Sequence, residues 1–138
     1  MSVMIRGDFD GGNPQSGEAI LRRGEGEFTI HPFTEDGDPN YKFRMDLKIS
    51  NTEKESRPIS LTVDWETEAF MVHRDYCFLR DPGATGWRYI PAEVKKSCSL
   101  LDFPILPGES YLCLHPKYNY DDYLQYMRGL EESEMVKK

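Results

Sequence analysis

The sequence predicts an all-β fold, an antiparallel β-sandwich with one short C-terminal α-helix, on three observations. Apolar and polar residues alternate with period two along much of the chain. Clusters of Gly, Pro and Asp punctuate the alternation, and only the stretch from Tyr120 changes to helical spacing. The clearest strand runs from Tyr41 to Ile49, where Tyr41, Phe43, Met45, Leu47 and Ile49 alternate with Lys42, Arg44, Asp46 and Lys48. One face of such a strand meets a core and the other, charged, meets water. Its length suits a central position in an antiparallel sheet. NTEKESRP then turns the chain, and Ile59, Leu61, Val63 and Trp65 alternate again as the expected hairpin partner. Upstream, Ala19–Leu21 and Phe28–Ile30 flank RRGEGE as strand, turn and strand, and GDFDGGNPQSGE reads as a Gly-rich turn entering the first of them. Downstream, Tyr76–Leu79, Trp87–Ile90, Val94–Leu101 and Tyr111–Leu114 are short strands separated by DPGATG, PAE and PILPGES.

The helix is read from Tyr120, Tyr123, Leu124, Met127 and Leu130, which fall on one stripe. Asn119 caps its start, Asp121 and Asp122 complement the dipole there, and Arg128 with Gly129 suits its end. The length of 138 residues fits one domain, residues 1–130, with 131–138 as a tail or linker. Seventeen Lys and Arg against 24 Asp and Glu leave a formal charge of −7, which argues against nonspecific nucleic-acid binding. No apolar run approaches the roughly 20 residues of a membrane span. The opening MSVMIRGDFDGG lacks the basic start and apolar stretch of a signal peptide.

Three cysteines without a CxxC pair are expected as reduced thiols in a cytoplasmic protein. Cys77 and Cys113, in strand-like contexts, are expected to be small buried hydrophobes. Cys98 follows Lys95 and Lys96, whose charges can lower a thiol pKa, but a reactive role is not expected of it.

Signals for chemistry within the chain are sparse. The three histidines, His31, His73 and His115, are followed three residues later by Thr34, Tyr76 and Tyr118, so no HxxE zinc pair exists, and there is no HExxH. A three-His site assembled across strands stands beside the plainer reading of strand-end histidines. GDFDGGNPQSGE fails the EF-hand pattern, because the loop counted from Asp8 has Gly12 at position 5, Asn13 at position 6 and Ala19 at position 12. A cation site of another kind, from Asp8, Asp10 and Asn13, stands beside a simple turn. No GxSxG elbow occurs, and Ser97, Ser99 and Ser110 lack a nearby His–Asp pattern. No catalytic residue, metal site or cofactor is expected. The aromatics matter more. Trp65 is expected in the core, whereas Trp87, Tyr89, Tyr118, Tyr120 and Tyr126 form the expected interaction surface. HPKYNYDDY reads equally as a docking surface or a core seam. Tyr126 falls off the helical stripe and is therefore a candidate for contact with a neighbour.

Four phrases carry a resemblance: FDGGN at Phe9–Asn13, YKFRMDLKISN at Tyr41–Asn51, GWRYI at Gly86–Ile90 and LHPKYNYDDYLQYMRGL at Leu114–Leu130. Their order and spacing resemble the N-terminal β-sandwich domain that precedes the catalytic domain of cytosolic-type zinc carboxypeptidases. The resemblance spans Phe9 to Leu130. It implies a noncatalytic accessory domain that packs beside a zinc-peptidase catalytic domain, in cis or in trans, and supports its folding or substrate access. The family's HxxE zinc pair and later His have no counterpart here, so no catalytic residue carries over, and this chain alone is expected not to be an enzyme. Lys138 lies about where the family's catalytic domain would begin. The reading from another class is a carbohydrate- or small-ligand-binding sandwich that uses Trp87, Tyr89 and the neighbouring loops.

Overall fold

A computed structural model describes residues 3–9, 11–33, 44–69 and 71–115. Ten strands follow in chain order: β1 (Val3–Arg6), β2 (Ile20–Gly24), β3 (Glu27–Ile30), β4 (Asp46–Asn51), β5 (Arg57–Asp64), β6 (Tyr76–Arg80), β7 (Arg88–Pro91), β8 (Glu93–Lys95), β9 (Cys98–Ile105) and β10 (Gly108–Cys113). They form two five-stranded sheets, ordered β1-β4-β10-β6-β7 and β2-β3-β5-β9-β8. The inner faces of both share one buried cluster. The first sheet contributes Ile5, Leu47, Ile49, Leu79 and Leu112, and the second Phe28, Ile30, Leu61, Val63 and Leu101. These are the alternate residues of each strand, as a pleated backbone requires. The C-terminal helix and the tail lie outside the described residues.

Several expectations hold. The alternation of Met45, Leu47 and Ile49 is buried against the core, and β4 is a central strand between β1 and β10. RRGEGE does turn β2 back onto β3. The turn works because Gly26 adopts φ +72°, and its carbonyl accepts a hydrogen bond from the Ser60 amide at 2.8 Å. A Cβ there would lie 2.8 Å from the Pro58 carbonyl oxygen.

Other expectations need correction. The strand read from Tyr41 begins at Asp46 among the described residues, with 41–43 outside them. β5 is not the hairpin partner of β4. It pairs with β3 and β9 in the opposite sheet, so NTEKESRP carries the chain across the core. The β3–β5 pair is parallel, with Phe28 opposite Leu61, whereas every other strand pair is antiparallel. Alternation specifies which face is buried but not which strand lies alongside. Val94–Leu101 is not one strand: Lys96, at φ 58°, and Ser97 fold it into the β8–β9 hairpin. Pro104 and Ile105, read as part of a turn, end β9 instead. β1 stands before the Gly-rich loop that was expected to open the first strand, and its Val3 and Ile5 are buried.

That loop is fastened to the body through Asn13. Its backbone exchanges two hydrogen bonds with Asp46, each 2.9 Å. Its side-chain amide donates to the Phe33 carbonyl at 2.9 Å and accepts from the Phe33 amide at 2.8 Å. One buried residue thus ties the start of β4 to the chain that leaves β3. The loop must fold tightly to do this. A Cβ on Gly12 would lie 1.9 Å from the Gly7 carbonyl oxygen, so no other residue fits there.

The chain crosses from β5 to β6 through a polar knot. Trp65 is fully buried, and its Nε1 donates to Ser99 Oγ at 2.9 Å. Ser99 Oγ donates in turn to the Arg74 carbonyl at 2.5 Å. The Arg74 guanidinium lies 5.1 Å from the Trp65 ring centroid and donates to the Ala69 carbonyl at 2.8 Å. Burial pushes the Arg74 pKa down.

Leu61→Ala should cost about 2–5 kcal/mol in urea unfolding, because it empties a closed core site. Thr62→Ala, on the opposite face of β5, should change stability by less than about 0.5 kcal/mol. The reverse ranking would mean that the register of β5 is wrong by one residue. Ser99→Ala should lower stability by about 1–3 kcal/mol, since it leaves the Trp65 indole and the Arg74 carbonyl without this partner. An unfolding midpoint equal to that of the parent chain would refute the role given to the knot.

Candidate functional site

The two outer faces differ in chemistry. On the β2-β3-β5-β9-β8 sheet the outward positions include Glu27, Thr29, Ser60, Thr62 and Asp102, and Ser60 donates to the Asp102 carboxylate. On the β1-β4-β10-β6-β7 sheet the outward positions are largely aromatic and cationic. Strand register explains this. Arg6 lies opposite Lys48, Lys48 opposite Tyr111, and Tyr111 opposite Arg80. Directly opposed residues share a face. Continuing the β6–β7 register one step past Leu79–Arg88 brings Trp87 beside Arg80. A single row therefore crosses four strands and ends at Trp87, just ahead of β7.

From Lys48 onward, cations and rings alternate along the row. Lys48 Nζ lies 5.7 Å from the Tyr111 centroid and 5.5 Å from that of Phe9, which the Gly-rich loop lays over this face. The Arg80 guanidinium lies 4.9 Å from the Tyr111 centroid and 5.1 Å from that of Trp87. These separations fall within the range of cation–π attraction. Phe9 also meets Tyr111 edge-on at 6.2 Å. Beside this row lies an aromatic cluster. Tyr76 stacks on Tyr89 at 5.9 Å and meets Phe78 edge-on at 5.6 Å, and His115 packs edge-on against Tyr76 at 6.2 Å. Tyr89 is 57% exposed.

Carboxylates flank the cations. Arg6 Nε donates to Asp8 Oδ1 at 2.9 Å, and this hydrogen bond holds Asp8 below the usual carboxylate range and raises Arg6. Arg88, opposite the buried Leu79 and so on the other side of the sheet from this row, grips Asp81 at 2.7 and 3.0 Å, which raises the Arg88 pKa. Lys48 faces Glu109 at 3.8 Å. Arg80 forms no ion pair with a described carboxylate within 4.0 Å.

The structure brings Trp87 and Tyr89 of the expected surface onto one face, while Tyr118, Tyr120 and Tyr126 lie outside the described residues. Sequence reasoning missed Phe9, Lys48, Tyr76, Phe78, Arg80 and Tyr111 as members. The readable signal was YCFLR in β6: both alternating sets carry large apolar groups, as in a strand covered on both faces.

Elsewhere the residues tested for chemistry have ordinary surroundings. Asn13 and Asp8 are engaged as described, so a cation site built on them would have to break those bonds. His31 lies 3.5 Å from Glu66, and His73 sits in the 3-10 turn Met71–Arg74. Among the described residues no three His, Cys, Asp or Glu converge as metal ligands. Cys77 and Cys113 are buried, as expected. Cys98 differs from expectation: burial raises its pKa, and a hydrogen bond with Ser97 opposes this only partly. Asp64 raises it further.

No family model matches the sequence, and no curated protein does. Solved structures do match. A metallo-carboxypeptidase from Burkholderia cenocepacia superposes with a TM-score of 0.69 at 10% identity, over 94% of this chain and 33% of that one. A metallo-carboxypeptidase from Pseudomonas aeruginosa gives 0.65 at 15% identity, over 93% of this chain and 34% of that one. The chain therefore has a fold found within metallo-carboxypeptidases, and it spans about a third of the length of the chains it matches. At these identities the likeness is one of fold.

Acrylamide quenching should separate the two tryptophans. Trp65 is fully enclosed and Trp87 is half-buried at the end of the row. Trp87→Phe should remove most of the quenchable emission and leave a blue-shifted, protected signal. Equal quenching of both would contradict the placement of Trp87.

Proposed function

We propose that this chain is a noncatalytic accessory domain of a zinc-carboxypeptidase-like protein, a β-sandwich that packs on a peptidase catalytic domain in cis or in trans. The observation that carries the reading is the superposition of 93–94% of this chain on about a third of two metallo-carboxypeptidase chains. A piece that accounts for a third of a hydrolase, and has no convergent ligands of its own among the described residues, fits a supporting part of such an enzyme. The aromatic and cationic outer face suits contact with a neighbour, because aromatic rings and arginine concentrate binding energy. In this reading the domain works in the cytoplasm, with its thiols reduced.

A second reading draws on Tyr89, which is exposed and stacked on Tyr76 beside Trp87. Such rings suit a sugar face. A titration with saturating glycans would then change tryptophan emission, and an unchanged spectrum would remove that reading.

The deciding experiment is to read the gene past the codon for Lys138 and assay the resulting protein. An open frame with an HxxE pair and a later His, and zinc-dependent carboxypeptidase activity absent from residues 1–138 alone, is the expected result. Peptidase activity in residues 1–138 alone would overturn the accessory role.

A further inference from the structure

We propose that Arg80 is the anchor of a carboxylate-docking strip, and that its occupant is an extended segment of a protein partner bearing a single Glu or Asp flanked by apolar residues. This deepens the accessory reading by naming the partner chemistry of the outer face, and it rests on that reading for the face being a contact surface.

The inference follows from how the chain treats its other cations on the same sheet. Arg6 holds Asp8, Arg88 holds Asp81 through two bonds, and Lys48 faces Glu109. Arg80 is half-buried and lies between the Tyr111 and Trp87 rings. The two rings beside it offer no hydrogen-bond acceptor to its five N–H donors. A guanidinium held beside two rings still needs a planar acceptor, and a carboxylate matches its fork in two parallel hydrogen bonds. The missing partner is therefore a carboxylate, and the rings beside it call for apolar neighbours. A polyphosphate fits less well. The chain carries a net charge of −7, and Asp8 and Glu109 pair with the cations of the strip and would repel further phosphates.

The test is an amide-and-indole NMR titration of the chain at low salt with the acetylated, amidated peptide Gly-Leu-Glu-Leu-Gly. Its Gln counterpart, sodium acetate and a thymidine octanucleotide serve as comparison probes. The expected result is shifts at the Arg80, Tyr111 and Trp87 resonances with the Glu peptide and none with the Gln peptide, with acetate weaker by about tenfold or more. Arg80→Gln should weaken the Glu peptide by at least about fivefold, and Arg80→Lys, which keeps the charge but loses the fork, should fall between. An unmoved Trp65 indole signal in both variants shows that the fold is intact. Equal shifts with the Gln peptide, equal potency of acetate, tighter binding of the oligonucleotide or no effect of Arg80→Gln would each overturn the proposal. So would the absence of any shift. If the strip fails while the gene continues into a zinc peptidase, the accessory reading stands. If the peptide binds and no peptidase follows, the strip stands and that reading falls.

Discussion

The buried contact among Trp65, Ser99 and Arg74 is the constraint on which the two-sheet arrangement depends. Trp65 directly follows β5 of the second sheet, Ser99 lies on the neighbouring β9, and Arg74 closes the 3-10 turn just ahead of β6 in the other sheet. A buried indole N–H and a buried carbonyl both need partners. One hydroxyl serves both, as acceptor and as donor. The Arg74 guanidinium lies against the indole, 5.1 Å from its centroid. The crossover is thereby fixed in position, and with it the placement of β6 and β7, which carry half of the aromatic face.

The fold was legible in part, and the boundary is physical. Where one face of a strand meets the core, as in Leu47–Ile49 and Leu61–Val63, period two announces it. Which strand lies alongside depends on pairings between distant segments, and alternation carries no record of these. That is why β4 and β5, adjacent in sequence and alike in pattern, could be read as a hairpin although they face each other across the core. The short β1 offers only Val3 and Ile5, too brief a pattern to separate from chance. The turn at Lys96 was hidden because it lacks glycine, proline or asparagine.

The candidate site was less legible for the same reason. Trp87 and Tyr89 stand out by residue type alone. Lys48, Tyr111 and Arg80 become a row only through the registers of β4, β10 and β6, and nothing local to those residues indicates it. The FDGGN phrase shows the two layers of meaning a motif holds. Its Asn13 does structural work at the root of the loop, while its Phe9 is delivered to the aromatic outer face.

The position of β10 has a consequence for how the chain is made. This strand is the last of the ten in sequence, yet it lies at the centre of its sheet, between β4 and β6. During synthesis the earlier strands leave the ribosome first, and until Gly108–Cys113 follows, β4 and β6 have no common neighbour. Both then present unpaired backbone along edges that are destined to be interior. Such edges are the ones through which nascent chains join one another. The first sheet is thus completed late and by insertion. A pause or truncation ahead of β10 leaves two fragments of a sheet, open to pairing with whatever strand arrives.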